Sequence, residues 1–352
     1  MPTRELTLED FRFNPPTISL DDVESAARHL YGLSGRMTQL SGERDQNVRI
    51  ETSDGDFVLK IAGQGEDPLV VDLQVSVLKH LEASVPELPV PRVIDQVDGK
   101  AVGVIVDRSG STHQMRLVTY LPGVTFDAAR NVPASALQAI GRVQARMCRA
   151  LSGFDHAGAD HFMPWDISNG LIQSDQLWRH AQADVIAVVG DQRGYLTDVV
   201  SARFDGLRRQ VIHNDAHRGN LLRANESSHG LTGVIDFGDM VKAPLVDDLA
   251  VSASSFVRAS DDPITSVESL ATGFNSVFPL QDEEVDALFD LILARLVLGL
   301  LLFDFMIAKE SGHTTNIMRE RPEALAGLAR WLTLDPDQLT HRLHAVLAGG
   351  RT

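Results

Sequence analysis

A single cysteine, Cys148, stands in the whole chain, so no intramolecular disulfide can form. A reducing cytosol is the compartment expected for such a protein. Cys148 falls in a helix-like stretch and reads as a small buried residue rather than a nucleophile. Positive charge is also scarce. Lys and Arg number 32 against 48 Asp and Glu, giving a formal net charge of -16 and a pI near 5.1. That balance repels phosphate backbones and anionic bilayers, and no basic stripe offsets it, which disfavours nucleic acid and membrane partners. It tolerates a cationic ligand. The opening MPTRELTLED is charged and lacks the apolar core of a signal peptide. The longest apolar run, Leu291 to Phe303, is interrupted by Arg295 and is too short to span a bilayer, so it reads as a buried helix. There is no internal repeat and no low-complexity tract.

What is present fits an ordinary globular protein, with 43% hydrophobic and 23% charged residues. A length of 352 residues exceeds one ordinary core and suggests two packed lobes. After Asn14-Pro15-Pro16, Ser19 or Asp21 can cap an amphipathic helix running to about Tyr31 and ending at Gly32. Two strand-like runs follow, around Val48-Arg49-Ile50 and at Phe57 to Ile61, with Ser53-Asp54-Gly55-Asp56 as the turn between them. Residues 69–83 carry Leu73, Val77, Leu78 and Leu81 at helical spacing, and Pro86, Pro89 and Pro91 stop that helix. Val102 to Val106 and Met115 to Tyr120 read as two further strands. Beyond Leu121-Pro122-Gly123 the chain turns mostly helical, with signals over roughly 134–151, 198–210, 245–258, 265–274, 282–308 and 321–332. The expectation is an α+β protein with a small N-terminal lobe over 1–120, built on an antiparallel sheet. A larger helical lobe covers 121–352.

The chemistry-bearing segment is Val211 to Leu222, followed by Gly233-Val234-Ile235-Asp236-Phe237-Gly238-Asp239. Each half is an apolar strand run that delivers polar groups at its end. Phosphoryl transfer from a nucleoside triphosphate needs a carboxylate for the acceptor hydroxyl and oxygen ligands for magnesium. One Asn carbonyl and one Asp carboxylate suffice as the protein's share, because magnesium keeps several waters. Asp215, Asn220 five positions on, and a strand ending in Asp236-Phe237-Gly238 supply that set in the order kinases use.

His213-Asn214-Asp215-Ala216-His217-Arg218-Gly219-Asn220, Ile235-Asp236-Phe237-Gly238-Asp239 and Val246-Asp247-Asp248-Leu249-Ala250 resemble the signature of aminoglycoside phosphotransferases, choline kinases and type II homoserine kinases. The resemblance runs from about residue 20 to about 310 and implies a bilobal protein-kinase-like fold. It implies Asp215 as catalytic base, Asn220 and Asp236 as Mg2+ ligands, and His213 and Asp248 as supports of the catalytic loop. A simple N-cap is the competing reading of Asp248, and a loop histidine bonded to backbone is that of His213. Lys60, in Phe57-Val58-Leu59-Lys60-Ile61, matches the kinase strand lysine that holds the α- and β-phosphates. A strand lysine is otherwise a solvated edge residue. The family often places a Glu on the following helix to hold this lysine. Here Gln74 stands at that position, with Asp72 as the other candidate partner. The loop Ser41 to Asn47 has only Gly42 and so lacks Gly-x-Gly-x-x-Gly. Lys60, Gly42 and Tyr120 are the implied contacts for the nucleotide, ATP or GTP.

Within the family, Leu40 to Asn47 and Leu117-Val118-Thr119-Tyr120-Leu121-Pro122-Gly123 look most like hydroxylysine kinases. The implied acceptor is a small hydroxyl-bearing amino acid or amino alcohol. Aminoglycoside, homoserine and choline or ethanolamine are alternatives, and an inactive nucleotide-binding kinase fold is the non-enzyme alternative. Arg295, inside an apolar run, must pair with an internal acid such as Asp290 or Asp304, or with a substrate carboxylate. Asp239, Asp247 and Asp166 can meet an ammonium group, and Trp165 can pack against it.

Overall fold

The computed structural model describes residues 6–11, 15–172, 174–190, 192–197, 206–310 and 314–348. The chain divides into two compact units, one built from Thr7–Pro122 with His156–His161, the other around Gly123–Asp155 and Phe162–Thr352.

In the N-terminal unit, helix α1 (Leu20–Tyr31) starts where Ser19 accepts a hydrogen bond from the Asp22 N–H at 3.3 Å. It stops at Gly32, whose φ of 66° closes the C-terminus in a left-handed turn. Strands β1 (Arg36–Leu40), β2 (Gln46–Thr52), β3 (Gly55–Ile61), β4 (Val93–Ile94), β5 (Gly103–Val106) and β6 (Thr112–Thr119) form an antiparallel sheet. Their order is β1-β2-β3-β6-β4, with β5 also paired to β6. Alternation sends Val48, Ile50, Leu59, Ile61, Met115 and Leu117 to one face, where Val23 and Ala27 of α1 cover them. Fully burying each such side chain contributes about 1.5–3 kcal/mol. Helix α2 (Pro68–Ser84) has Asp67 as N-cap, accepting from the Leu69 N–H at 2.9 Å, and Pro68 where no backbone donor is required.

The other unit is mainly helical. Helices α3 (Ala134–Ala150), α4 (Leu245–Arg258), α5 (Pro263–Asn275), α6 (Asp282–Ala308), α7 (Thr314–Trp331) and α8 (Pro336–Ala348) are its main elements. Shorter helices cover Ile167–Ile172, Ser174–Trp178, Ala183–Val189 and Gln192–Tyr195. α3 and α5 touch backbone to backbone. A Cβ on Gly141 would lie 2.1 Å from the Leu270 carbonyl oxygen, and one on Gly273 would lie 2.0 Å from that of Gln138. Any larger residue at either position forces the helices apart. Two small antiparallel ladders carry the functional segment. β8 (Arg209–Ile212) pairs with β11 (Val241–Pro244), and β9 (Leu221–Arg223) pairs with both β10 (Leu231–Val234) and β7 (Val124–Thr125).

α6 is long and apolar enough to cross a membrane by length and composition, but it is mostly buried within this unit. Glu284 binds Arg208 at 2.6 Å, Asp290 accepts from the Tyr195 hydroxyl at 2.8 Å, and Asp304 pairs with Arg321 at 2.6 Å. Three observations correct the sequence reading of this unit. The helix expected over 198–210 lies outside the described residues at 198–205, and Arg209 and Gln210 belong to β8. α7 begins at Thr314 and runs through Pro322, not from residue 321 onward. The missing N–H at Pro322 weakens that turn, but Arg321 ties it to Asp184 and Asp304, each at 2.6 Å. Asp248 lies inside the first turn of α4, whose N-cap is Pro244, so the N-cap reading of Asp248 falls.

Candidate active site

The loop 213–220 joins β8 to β9, and Asp236 follows directly on β10. Two non-glycine residues of these loops, Asn214 (φ 63°) and Asp236 (φ 62°), take the left-handed conformation. That strain is tolerated where surrounding bonds over-determine the backbone. The Asn214 N–H donates to Asp248 Oδ1 at 2.8 Å, and its Nδ2 donates to the Asp239 carbonyl at 3.3 Å. Asp248 is fully buried and also accepts from the Cys148 thiol at 3.3 Å. Burial, aided by Asp248, pushes that thiol's pKa well up, so Cys148 stays protonated and donates.

His213 is buried edge-on against Phe237, with ring centroids 4.7 Å apart. Its Nδ1 accepts from the Asp215 N–H at 3.2 Å, so Nε2 carries the proton and donates to the Ile235 carbonyl at 3.2 Å. Burial lowers its pKa and keeps the ring neutral. One imidazole thus spans both loops. The Ile235 N–H also donates to the Asn220 carbonyl at 2.9 Å, which sets Asp236 beside Asn220 along the backbone.

Asp215 is half-buried. Asn220 Nδ2 donates to its Oδ2 at 2.6 Å and to its backbone carbonyl at 2.9 Å. With the amide nitrogen committed in this way, the Asn220 side-chain oxygen is the group left to bind a cation. Among the described residues no group of three His, Cys, Asp or Glu side chains is spaced to hold a metal. One carboxylate and one amide oxygen therefore suit an ion that draws its other ligands from water and phosphate. His217 Nδ1 accepts from the Gly219 N–H at 2.9 Å, and its Nε2 lies 3.6 Å from Asp215 Oδ1. Burial pulls His217 down to about 4, opposed by Asp127 and reinforced by Arg258 and Arg295, so it is neutral at pH 7.

Arg295 pairs with neither Asp290 nor Asp304, correcting the internal partners expected from sequence. Its Nη1 donates to the Trp165 carbonyl, its Cζ sits 5.2 Å from the Trp165 ring centroid, and its Nη2 lies 3.9 Å from Asp215 Oδ1. Burial lowers its pKa, while Asp215, Asp239, Asp166 and Asp247 oppose the shift. Trp165 meets Phe303 edge-on at 6.2 Å. Asp166 is buried, accepts from the Ser168 N–H at 3.0 Å, and has its pKa raised by burial. Asp247 is buried more completely, and neither carboxylate oxygen has a hydrogen-bond partner among the described residues. Burial first, and Asp166 next, push its pKa well up. Asp215, Asn220, Asp236, Asp239, His213, Asp248, Arg295, Trp165 and Asp166 are thus neighbours within one unit.

Lys60, Gly42 and Tyr120 belong to the N-terminal unit. Neither Gln74 nor Asp72 holds Lys60, which is a second correction. Gln74 Oε1 accepts from Arg116, and Asp72 pairs with His156 at 3.1 Å. The carboxylate beside Lys60 is Asp45, at 3.5 Å, and Asp45 also pairs with buried Arg116 at 2.8 Å. Sequence reasoning missed both residues, although Asp45 lies in the polar loop and Arg116 faces Lys60 in the β3–β6 register. Gly42 shapes that loop, since a Cβ there would lie 2.3 Å from the Asp45 carbonyl oxygen and 2.5 Å from Asn47 Nδ2. The Tyr120 ring carries Arg49 over its face, with Cζ 4.2 Å from the centroid.

A profile of the phosphotransferase enzyme family, APH, matches residues 36–269, two thirds of the chain. The chain belongs to this family. Hydroxylysine kinase of Danio rerio is 25% identical over 343 residues, covering 93% of this chain and 95% of the relative. Homoserine kinase of Brucella abortus (strain S19) is 28% identical over 268 residues, covering 72% and 73%. Among solved structures, a microcompartment-associated aminopropanol kinase aligns with a TM-score of 0.68 at 19% identity, over 90% of this chain and 98% of that one. The amicoumacin kinase hAmiN, in complex with AMP-PNP, Ca2+ and Ami, aligns with a TM-score of 0.67 at 15% identity, over 91% and 96%. These similarities establish an α+β kinase-like fold. As a member of the phosphotransferase enzyme family, the protein is a small-molecule kinase that acts on a hydroxyl.

Proposed function

We propose that this kinase transfers the γ-phosphoryl group of ATP or GTP to the hydroxyl of a small amino acid or amino alcohol, with 5-hydroxylysine as the first acceptor to try. The observation that carries the reading is the Asp215–Asn220 pairing at 2.6 Å. It orients a carboxylate for an acceptor hydroxyl and leaves an amide oxygen for a cation. Asp215 Oδ1, with Arg295 Nη2 at 3.9 Å, is the oxygen disposed to receive the acceptor's proton. The neutral imidazoles of His213 and His217 hold the loop and take no proton at pH 7.

Asn220 and Asp236 are the residues that would hold Mg2+, which when bound neutralises charge on the transferring phosphoryl group. The N-terminal unit is assigned the nucleotide, through Lys60 with Gly42 and Tyr120. Asp45, 3.5 Å from Lys60, is assigned the support of that lysine. Asp239, Asp166, Trp165 and Arg295 are assigned to the acceptor, and a cytoplasmic location accompanies the reading. The hydroxylysine and homoserine kinases among the relatives support an amino-acid acceptor, and the aminopropanol kinase supports an amino alcohol.

The test is γ-phosphate transfer from ATP and GTP, with Mg2+, to 5-hydroxylysine, homoserine, aminopropanol, choline, ethanolamine and a set of aminoglycosides. Turnover on 5-hydroxylysine or a close analogue, abolished by EDTA and restored by Mg2+, is the expected result. Turnover on aminoglycosides alone would overturn the acceptor assignment.

A further inference from the structure

Three guanidinium groups lie near the catalytic loop, and they differ in what holds them. Arg218 donates to the Ala129 carbonyl at 3.1 Å and to Glu323. Arg295 donates to the Trp165 carbonyl and faces Asp215. Arg258, the last residue of α4, has no hydrogen bond or ion pair among the described residues, and its Nε is sealed from solvent with no acceptor.

A guanidinium does not escape burial by giving up its proton at physiological pH, so an unpaired one near the interior is costly. Burial pulls the Arg258 pKa down to about 10 and Arg218 pushes the same way, while Glu323 and Glu320 oppose. Neither acid is uncommitted. Glu323 holds Arg218, and Glu320 lies 3.7 Å from Arg319. The arginine stem is nevertheless seated. A Cβ on Gly327 of α7 would lie 2.6 Å from Arg258 Cγ and 3.1 Å from its Cα, so α7 has glycine where the arginine crosses it. The Arg258 charge also reaches the catalytic loop, where it helps keep His217 neutral.

We propose that Arg258, with Arg295, receives the carboxylate of a zwitterionic acceptor whose ammonium group faces Asp239 and Asp166. The inference rests on the amino-acid reading above and sharpens it, because it ranks amino acids over amino alcohols of the same length. A planar guanidinium matches a carboxylate in two parallel hydrogen bonds, and Arg258 Nη1 and Nη2, which are not sealed as Nε is and have no acceptor among the described residues, can make them.

The experiment compares kcat and KM for 5-hydroxylysine and for its decarboxylated diamino alcohol, and for homoserine and 3-carbon aminopropanol as a second pair. Wild type, Arg258→Met and Arg258→Lys are assayed, each with a thermal melt. Wild type should favour the carboxylate-bearing member of an accepted pair by about tenfold or more in kcat/KM, the scale of a charge-assisted hydrogen bond. In Arg258→Met that ratio should fall by about tenfold, mainly through KM, and Arg258→Lys should recover part of it. A purely structural arginine would lower activity on both members alike and leave the ratio unmoved, which overturns the inference. So does a wild type indifferent to the carboxylate. If only carboxylate-free acceptors are phosphorylated, the inference falls while the kinase reading stands. If no hydroxyl-bearing amine is phosphorylated, the acceptor reading falls and takes the inference with it.

Discussion

In the N-terminal unit, Lys60, Arg116, Asp45 and Gln74 share one network, and Arg49 binds Asp56 while lying over Tyr120. In the C-terminal unit, among the described residues, Asp247 is buried with both oxygens unpaired and Arg258 has no partner, and burial raises the pKa of Asp166. Buried charges that answer one another are architecture, since removing either partner strands the other. Charges that remain unanswered raise the free energy of the unliganded protein, and a ligand of opposite charge can relieve them. On the proposed function, the C-terminal unit is the one assigned to select the acceptor.

The largest expected effect comes from Asp215→Asn. It should lower turnover by roughly 10²–10⁴-fold, the usual contribution of a general base, while the melting temperature and nucleotide affinity stay near wild type. A phosphate-release assay beside a melt checks this, and equal loss of folding would erase the contrast between chemistry and architecture. Asp248→Ala comes next. It strands the Asn214 N–H and the Cys148 thiol in the interior and should cost about 2–4 kcal/mol in chemical denaturation, with turnover falling as the loop loosens.

Arg116→Met tests the N-terminal network. It leaves Gln74 Oε1 without its donor and Asp45 with one cation fewer, and a loss of about 1–3 kcal/mol is expected. Asp247→Asn should do the opposite, raising stability at pH 8 by roughly 1–2 kcal/mol because a buried charge is removed. The sign follows from linkage. The folded carboxyl keeps its proton to higher pH than an unfolded one, whose pKa is about 3.9. The folded state therefore binds more protons in that window, and wild-type stability declines as pH rises through it. Denaturation at several pH values should show the Asn variant's advantage growing with pH and vanishing near pH 4. A destabilised Asp247→Asn protein at pH 8 would mean that Asp247 is paired and would break the comparison between the units.

Much of the fold was legible because it repeats at a fixed period. The alternation in β2, β3 and β6, the helical spacing in α1 and α2, and the long apolar run in α6 mark those elements directly. β1 was missed because Arg-Met-Thr-Gln-Leu has no apolar alternation, and it exists by pairing with β2. The segment His156–His161 joins the N-terminal unit from beyond α3, where no local signal announces it. α7 was read short at its start, at 321 instead of Thr314, and Pro322 inside it is held by the Arg321 ion pairs to Asp184 and Asp304.

The sequence by itself determined the order and spacing of the chemistry-bearing residues. The loop from His213 to Asn220 and the strand ending at Asp236 are contiguous, and their types limit what they can bind. Only the tertiary structure decided which charge meets which. Lys60 met Asp45 instead of Gln74, Arg295 met Asp215 and the Trp165 carbonyl instead of Asp290 or Asp304, and Asp247 and Arg258 met no hydrogen-bond partner among the described residues. The reason is physical. Backbone periodicity is set by neighbours in sequence, whereas the energy of an ion depends on its distance from other ions and on how much water it has lost.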